Sequence, residues 1–281
     1  MPNPYRDPGF QITNAARLVL EKSGLLVKTC IPFRYEHVND CPPGLHFVPV
    51  GDALQDCEAL VCLGGDGTIL HSARLVGTCN IPLLGINTGT LGFMAELEKN
   101  ELGLLSKLAS DDYTVDTRMM IHVAVNRGGR IIYEDNALND AVITKGAVAR
   151  VIQLTVSCDG EEAMLFDGDG VVLCTPTGTT AYSMSAGGPV VEPGAHNLIV
   201  TPICAHSMSN HSLILSREKT VDVAIGRIGR RNAFLSVDGG RAFKLFSEDR
   251  VVMTESKRVT RLIRLKNVSF YSILNRKFQG A

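Results

Sequence analysis

The stretch that most restricts how this chain can fold is Ala59–Leu70, "ALVCLGGDGTIL". Its apolar opening, Ala59–Leu63, reads as a buried strand, and it runs into Gly64, Gly65, Asp66 and Gly67. Thr68–Val76 then reads as a helix and Ile81–Ile86 as a second strand. Strand, glycine turn, helix, strand is a βαβ unit, which implies a parallel sheet covered by helices. Two more helices are expected, Ile12–Lys22 with Gly24 as its stop and Glu101–Ser110. The opening "MPNPYRDPGF" is a loop by composition. No strand precedes it, so a few N-terminal residues forming a first strand are expected to be missing.

Beyond Asp116 the texture changes. "MMIHVAVN", "GRIIYEDN", "DAVIT", "VIQLTVSCDG", "VVLCTP", "LIVTPIC", "TVDVAIG", "NAFLSVDGG" and "RVVMTES" are short β-rich runs separated by Gly, Asn, Asp or Pro. That pattern predicts a sandwich of mostly antiparallel strands. The expected organisation is an α/β domain over 1–115, a β-rich domain over 116–255, and a basic segment over 256–281. Residues 257–281 carry seven Lys and Arg and no acid, which reads as a solvated face.

A net charge of −1 over 281 residues gives no global attraction to nucleic acid or to an anionic membrane. No apolar run is long enough to span a bilayer. The eight cysteines show no C-x-x-C spacing, so neither a zinc ribbon nor a redox pair is supported. Cys62, Cys174 and Cys204 lie in apolar runs, where a reduced cysteine packs as a small hydrophobe. Reduced cysteines and no signal peptide point to the cytoplasm.

Glycines after a strand let backbone N–H groups approach a ligand closely, and the helix that follows presents its N-terminus at the same place. Gly64, Gly65, Gly67 and Thr68 therefore suit a phosphate. Asp66 would repel one, so it either holds a screening cation or accepts a proton from an attacking hydroxyl. A turn whose acid caps the helix explains the local pattern equally well. A second glycine loop, "GINTGTLGF" (85–93), with Asn87 among its polar residues, follows the second strand. Two such loops on neighbouring strands would border one crevice at the carboxyl edge of a parallel sheet. No P-loop, dinucleotide fingerprint or kinase Asp-Phe-Gly triplet occurs. Further on, Thr175–Tyr182 places five hydroxyls within eight residues, enough to meet sugar hydroxyls or a base edge.

Taken together, "GGDGT", "GINTGTLGF", "ALNDAVI" and "DGDGVVLCTPTGTTAYSMSAGGPVV" resemble the NAD kinases of bacterial type, over nearly the whole chain. The glycine loop alone is shared with diacylglycerol kinases and phosphofructokinases; the Thr-rich stretch and the Asn-Asp dipeptide are more specific. The resemblance implies a two-domain fold of the NAD kinase/diacylglycerol kinase-like type. It pairs a Rossmann-like α/β domain with an all-β, sandwich-like domain, and the basic C-terminal segment packs back on the first. It implies transfer of the γ-phosphate of ATP to the adenosine-ribose 2′-hydroxyl of NAD, with Asp66 as general base and Mg²⁺, or another divalent cation, carried by ATP rather than by a protein ligand set.

By position, the resemblance also implies ligand contacts at Gly67, His71 and Phe93, and at Asn139 and Asp140, which would hold the ribose hydroxyls or the adenine edge. Phe93 and Tyr182 would flank the adenine. Arg150, Asp167, Asp169 and Ala205 fall on ligand positions, as do Thr177, Thr180, Ala181, Tyr182, Ser183, Met184 and Ser185. Two positions depart from the family pattern: Asp167 stands where many members have a basic or small residue, and Gly240 where the family often has Gln. A homodimer or homotetramer is implied, with a neighbouring subunit closing the site. The rivals are a lipid or sugar-phosphate kinase with the same loop, and a non-catalytic dinucleotide sensor. A lipid kinase should show a membrane-facing surface, and a sugar-phosphate kinase basic residues near its acceptor loop, whereas 166–188 contains none.

Overall fold

A computed structural model describes residues 1–32, 41–77, 79–89, 92–147, 150–206, 211–229 and 232–279. Its contacts divide the chain into two compact units, Met1–Thr117 with Thr260–Ala281, and Arg118–Val259.

In the first unit, helix α1 (Gln11–Lys22) buries Ala16 and Leu20 against Leu63, Leu84, Ile86 and Leu97. Gly24 ends it at φ +90°, where the Gly24 N–H reaches Glu21 O and the Leu25 N–H reaches Leu20 O. This 5→2 and 6→1 pair is the Schellman stop, which only a residue tolerant of positive φ makes without strain. After the short helix α2 (Val50–Leu54) comes the βαβ unit: β1 (Leu60–Gly64), α3 (Asp66–Val76) and β2 (Leu83–Asn87). The strands are parallel, from Leu60 opposite Leu83 to Gly64 opposite Asn87. All of β2 is buried, which is why its run reads as continuously apolar rather than alternating. A two-residue strand, β3 (Leu97–Glu98), extends the sheet beyond β2.

Two details differ from the sequence reading. Met1–Asn3 are not loop: Pro2 bridges Leu63 in parallel, and Met1 and Asn3 exchange backbone bonds with Leu63. Leu102–Ser110 is a 3₁₀-helix rather than an α-helix. Its leucines 102, 105 and 108 recur every three residues, and three residues per turn stacks them into one ridge against the core.

The second unit is the antiparallel part. Strands β4 (Thr114–Arg127) and β5 (Arg130–Ala137) form a hairpin around Gly128 and Gly129. They are followed by β6 (Asp140–Lys145), β7 (Ile152–Cys158), β8 (Glu161–Gly168), β9 (Gly170–Cys174), β10 (Asn197–Ile203), β11 (Leu213–Ser216), β12 (Val221–Ile225), β13 (Ala233–Val237), β14 (Phe243–Leu245) and β15 (Arg250–Arg264). One sheet runs β11-β10-β9-β6-β13-β14. Facing it, β12 lies between β7 and β15, and β7 pairs with β8. A single core joins them, with Ile143, Val171, Leu173 and Val200 from one sheet meeting Val123, Leu154, Val223 and Val251 from the other. The far face of β6, β9 and β10 is also covered: Val142, Val172 and Ile199 pack against Ala186 and Val191. The chain after β9 therefore folds back over its own sheet.

From Thr260 the chain rejoins the first unit, where Leu262 pairs beside Leu83. The basic segment is not uniformly solvated. Arg264 pairs with Glu96 and Asp116, and Lys266 with Glu101, because this unit supplies acids at those places. Residues Phe270–Gln279 form the last helix. Cys62 and Cys174 are fully buried, which pushes their thiols up to about 11 and about 12. Cys204, grouped with them by sequence, is exposed, because β10 ends at Ile203 and Cys204 turns out at φ +46°. Among the described residues no helix is long and apolar enough to cross a membrane.

Candidate functional site

In the first unit the glycine loop passes directly from β1 into α3. None of Gly64, Gly65 and Gly67 has positive φ, so conformational freedom is not what these glycines supply. Gly64 is a packing requirement: a Cβ there would lie 2.2 Å from Thr68 Oγ1. At Gly65 and Gly67 a Cβ would meet nothing within 4 Å, so the loop surface is open. Asp66 begins α3 without capping it. Instead, the Phe93 N–H donates to its Oδ2 at 2.8 Å and the Met94 N–H to its Oδ1 at 3.1 Å. The acid thereby fastens the first glycine loop to the end of the second. Gly92 permits the approach, since a Cβ there would sit 2.1 Å from Asp66 Oδ1.

The other expected residues of this unit divide in two. Asn87 is buried, with its amide donating to Glu98 and Gly89 O and its oxygen accepting from the Gly89 N–H. Its side chain braces the loop from within and is not offered to a phosphate. His71 lies on α3, and burial, reinforced by Arg74, pushes its imidazole down toward the neutral form. The Phe93 ring carries Lys277 Nζ at 5.4 Å from its centroid. Sequence reasoning missed Thr88, whose buried Oγ1 has no hydrogen-bond partner among the described residues. It also missed Asn3, whose amide donates to Thr68 Oγ1 at 3.0 Å. Thr90 and Leu91 of the second loop lie outside the described residues.

In the second unit Asn139 and Asp140 form the entry to β6. Their turn is held by a residue about a hundred positions away. Asp238 accepts the N–H groups of Leu138 at 2.8 Å, Asn139 at 2.8 Å and Asp140 at 3.1 Å. With the backbone tied this way, Asn139 Oδ1 is left buried with no partner among the described residues. An orphaned buried acceptor is costly unless a ligand donor fills it. Burial and then the neighbouring Asp238 charge push the Asp140 carboxyl up to about 7. Asp238 sits in the "SVDGG" run singled out only for Gly240; nothing local in the sequence marks it as the clamp.

The Thr-rich stretch packs on the same turn. Thr175 N–H donates to Asn139 O at 2.9 Å, and the Thr175 hydroxyl to Leu138 O at 2.6 Å. Thr177 is buried and accepts from the nearly buried Arg118 at 3.2 Å, another contact the sequence does not show. Thr177–Thr180 is a 3₁₀ turn, and Tyr182–Ser185 a single helical turn. Thr180, Ala181 and Met184 are half-buried, and Tyr182 and Ser185 exposed. Ser183 points inward and shares its hydroxyl with Thr201 at 3.1 Å, so its side chain is not offered to a ligand.

Asp167, Asp169 and Ala205 form a separate group. The His206 N–H donates to Asp167 O, the Asp169 N–H to Ile203 O, and Lys145 pairs with Asp169 at 2.9 Å. Asp169 precedes β9 and Thr175 follows it, so the two groups stand at opposite ends of that strand, about 20 Å apart at an ordinary strand rise. Arg150 is exposed ahead of β7. Among the described residues no three His, Cys, Asp or Glu side chains gather as a metal-holding set.

Comparison with known proteins adds the following. A family model described as the ATP-NAD kinase C-terminal domain matches residues 138–265, and one described as the ATP-NAD kinase N-terminal domain matches residues 49–113. An NAD kinase of Lachnoclostridium phytofermentans is 35% identical over 286 residues, covering 98% of this chain and 96% of its own. An NAD kinase of Acetivibrio thermocellus is 39% identical over 221 residues, covering 78% of this chain and 76% of its own. Yeast NADH kinase complexed with NADH superposes with a TM-score of 0.86 at 26% identity, over 99% of this chain and 86% of that one. An NAD kinase from Archaeoglobus fulgidus in complex with ATP shares the fold with a TM-score of 0.72 at 22% identity, over 96% of each chain.

Proposed function

The chain belongs to the NAD kinase family, and from that premise we propose that it transfers the γ-phosphate of ATP to the adenosine-ribose 2′-hydroxyl of NAD, giving NADP, with Asp66 as general base. The observation that carries the role of Asp66 is its geometry. It does not cap its own helix, and each carboxylate oxygen accepts one backbone N–H. That fixes the group's orientation and leaves a lone pair on each oxygen for a substrate proton. The proton on the 2′-oxygen passes to Asp66 as that oxygen bonds to the γ-phosphorus, and ADP leaves with the electrons of the broken P–O bond. The open backbone at Gly65 and Gly67 receives phosphate oxygens.

Asn139 Oδ1 accepts a donor of the dinucleotide, and Asp140, when ionised, accepts from ribose hydroxyls or the adenine amine. Tyr182 offers an exposed aromatic face. The divalent cation enters with ATP as part of the substrate and neutralises charge on the phosphates. Asp167, Asp169 and Ala205, at the far end of β9, would serve a neighbouring subunit's site in a homodimer or homotetramer. The free cysteines support a reducing cytoplasm.

The direct test is to incubate the purified protein with Mg-ATP and NAD and to assay NADP. Parallel arms use NADH, diacylglycerol and fructose 6-phosphate as acceptors. NADP should form; phosphorylation of the lipid or the sugar phosphate instead would sink the reading.

A further inference from the structure

The two glycine loops of the first unit, 64–68 and 85–93, contain no lysine or arginine, yet Asp66 stands among them. A site that takes a triphosphate is helped by a cation beside its backbone N–H groups. We infer that Arg6, from the opening segment of the chain, supplies this cation and binds the phosphates of the nucleotide donor. The inference rests on the assignment of the glycine loops to phosphate and names a residue that the reading above leaves out.

A methyl group built on Gly89 would lie 3.5 Å from Arg6 Nη1, so the guanidinium rests against the second glycine loop. The segment that carries it is anchored on both sides. Before it, the Asn3 N–H donates to Leu63 O at 2.8 Å, and the Asn3 amide to Thr68 in the first glycine loop. After it, the buried Asp7 accepts from the Ile12 and Thr13 N–H groups and from the Thr13 hydroxyl. Arg6 itself donates its N–H to Asn3 O at 3.0 Å. Its backbone is therefore held while its side chain is exposed, and among the described residues no acid pairs with it. A planar, permanently charged fork exposed against the second glycine loop is suited to bidentate recognition of phosphate. Two further cations near this loop are already engaged: Lys277 lies over the Phe93 ring, and Arg264 pairs with Glu96 and Asp116.

The test measures Mg-ATP binding calorimetrically with no acceptor present, and separately the KM for ATP and for NAD. The variants are Arg6→Gln, Arg6→Lys and the control Arg17→Gln, whose native charge is paired with Glu21 at 2.7 Å. Arg6→Gln should weaken ATP by ~10-fold, the scale of one charge-assisted contact. It should leave the KM for NAD and the melting temperature unchanged, and its dependence of ATP affinity on salt should be shallower. Arg6→Lys should recover part of the loss, and Arg17→Gln should behave as native. Unchanged ATP affinity in a folded Arg6→Gln protein overturns the inference, as does an equal loss toward ATP and NAD. Because binding is read without acceptor, a failure of NAD as the substrate leaves this result interpretable by itself.

Discussion

Asp66 in the first unit and Asp140 in the second are the same residue type in opposite arrangements. Asp66 uses its side chain to bind backbone, accepting the Phe93 and Met94 N–H groups of a neighbouring loop. At Asp140 the corresponding task belongs to a third acid, Asp238, which takes the N–H groups of the whole 138–140 turn. Asp140 and Asn139 thus keep their side chains for something else, one with a raised pKa and one with an unanswered acceptor. In one region the chemistry and the scaffold are one residue; in the other they are divided between two. Substitutions should therefore couple turnover to local structure at Asp66 and separate ligand binding from structure at the second turn.

Asp66→Asn carries the largest expected effect. The amide cannot take a proton at neutral pH, so kcat should fall by ~10²–10⁴-fold. It retains one accepting oxygen where the acid has two, so the protein should also lose about 1 kcal/mol of stability. Steady-state kinetics and thermal melts read both. Near-normal turnover in the folded variant would return the loop to a structural role.

Asp238→Ala comes next. It frees three backbone donors at once, and the KM for NAD should rise by well over the ~10-fold expected from one lost hydrogen bond, with a clear drop in melting temperature. The KM for ATP should stay near native. Asn139→Ala should raise the KM for NAD by up to roughly 10-fold with little change in melting temperature, because it removes an acceptor that has no partner among the described residues. If Asn139→Ala destabilised the protein as much as Asp238→Ala, the division between scaffold and ligand contact would be wrong.

The smallest effect is on stability against pH. Asp140 is raised from 3.8 to about 7, so the native state holds a proton there that the unfolded chain releases. Its contribution is fully present below the unfolded value and is lost as pH rises through the folded one. Melting temperature without ligand should fall from about pH 4 to about pH 7 and level off above that, and Asp140→Asn should flatten that decline. A decline unchanged in Asp140→Asn would assign it to another group.

What the sequence determined by itself was local. The βαβ unit follows from an apolar run, a glycine turn and a helical pattern; the stop of α1 follows from Gly24; the antiparallel part follows from short β-rich runs between turn residues. The positions of Asp66, Asn139 and the Thr-rich stretch were legible because each sits in a compact motif. What only the tertiary structure decided involves partners far apart in the chain. Strand β8, "EEAMLFDG", was missed because it lies at a sheet edge and, Phe166 apart, carries a weak apolar signal. Ser183 and Asn87 read as site residues by position, yet both turn inward, because a hydroxyl or amide side chain serves a core contact as readily as a ligand. Asp238 on the 138–140 turn, Arg118 on Thr177 and Arg6 against Gly89 leave no periodic trace. A hydrogen bond or charge contact between remote residues is set by where the backbone brings them, and no stretch of sequence encodes that distance alone.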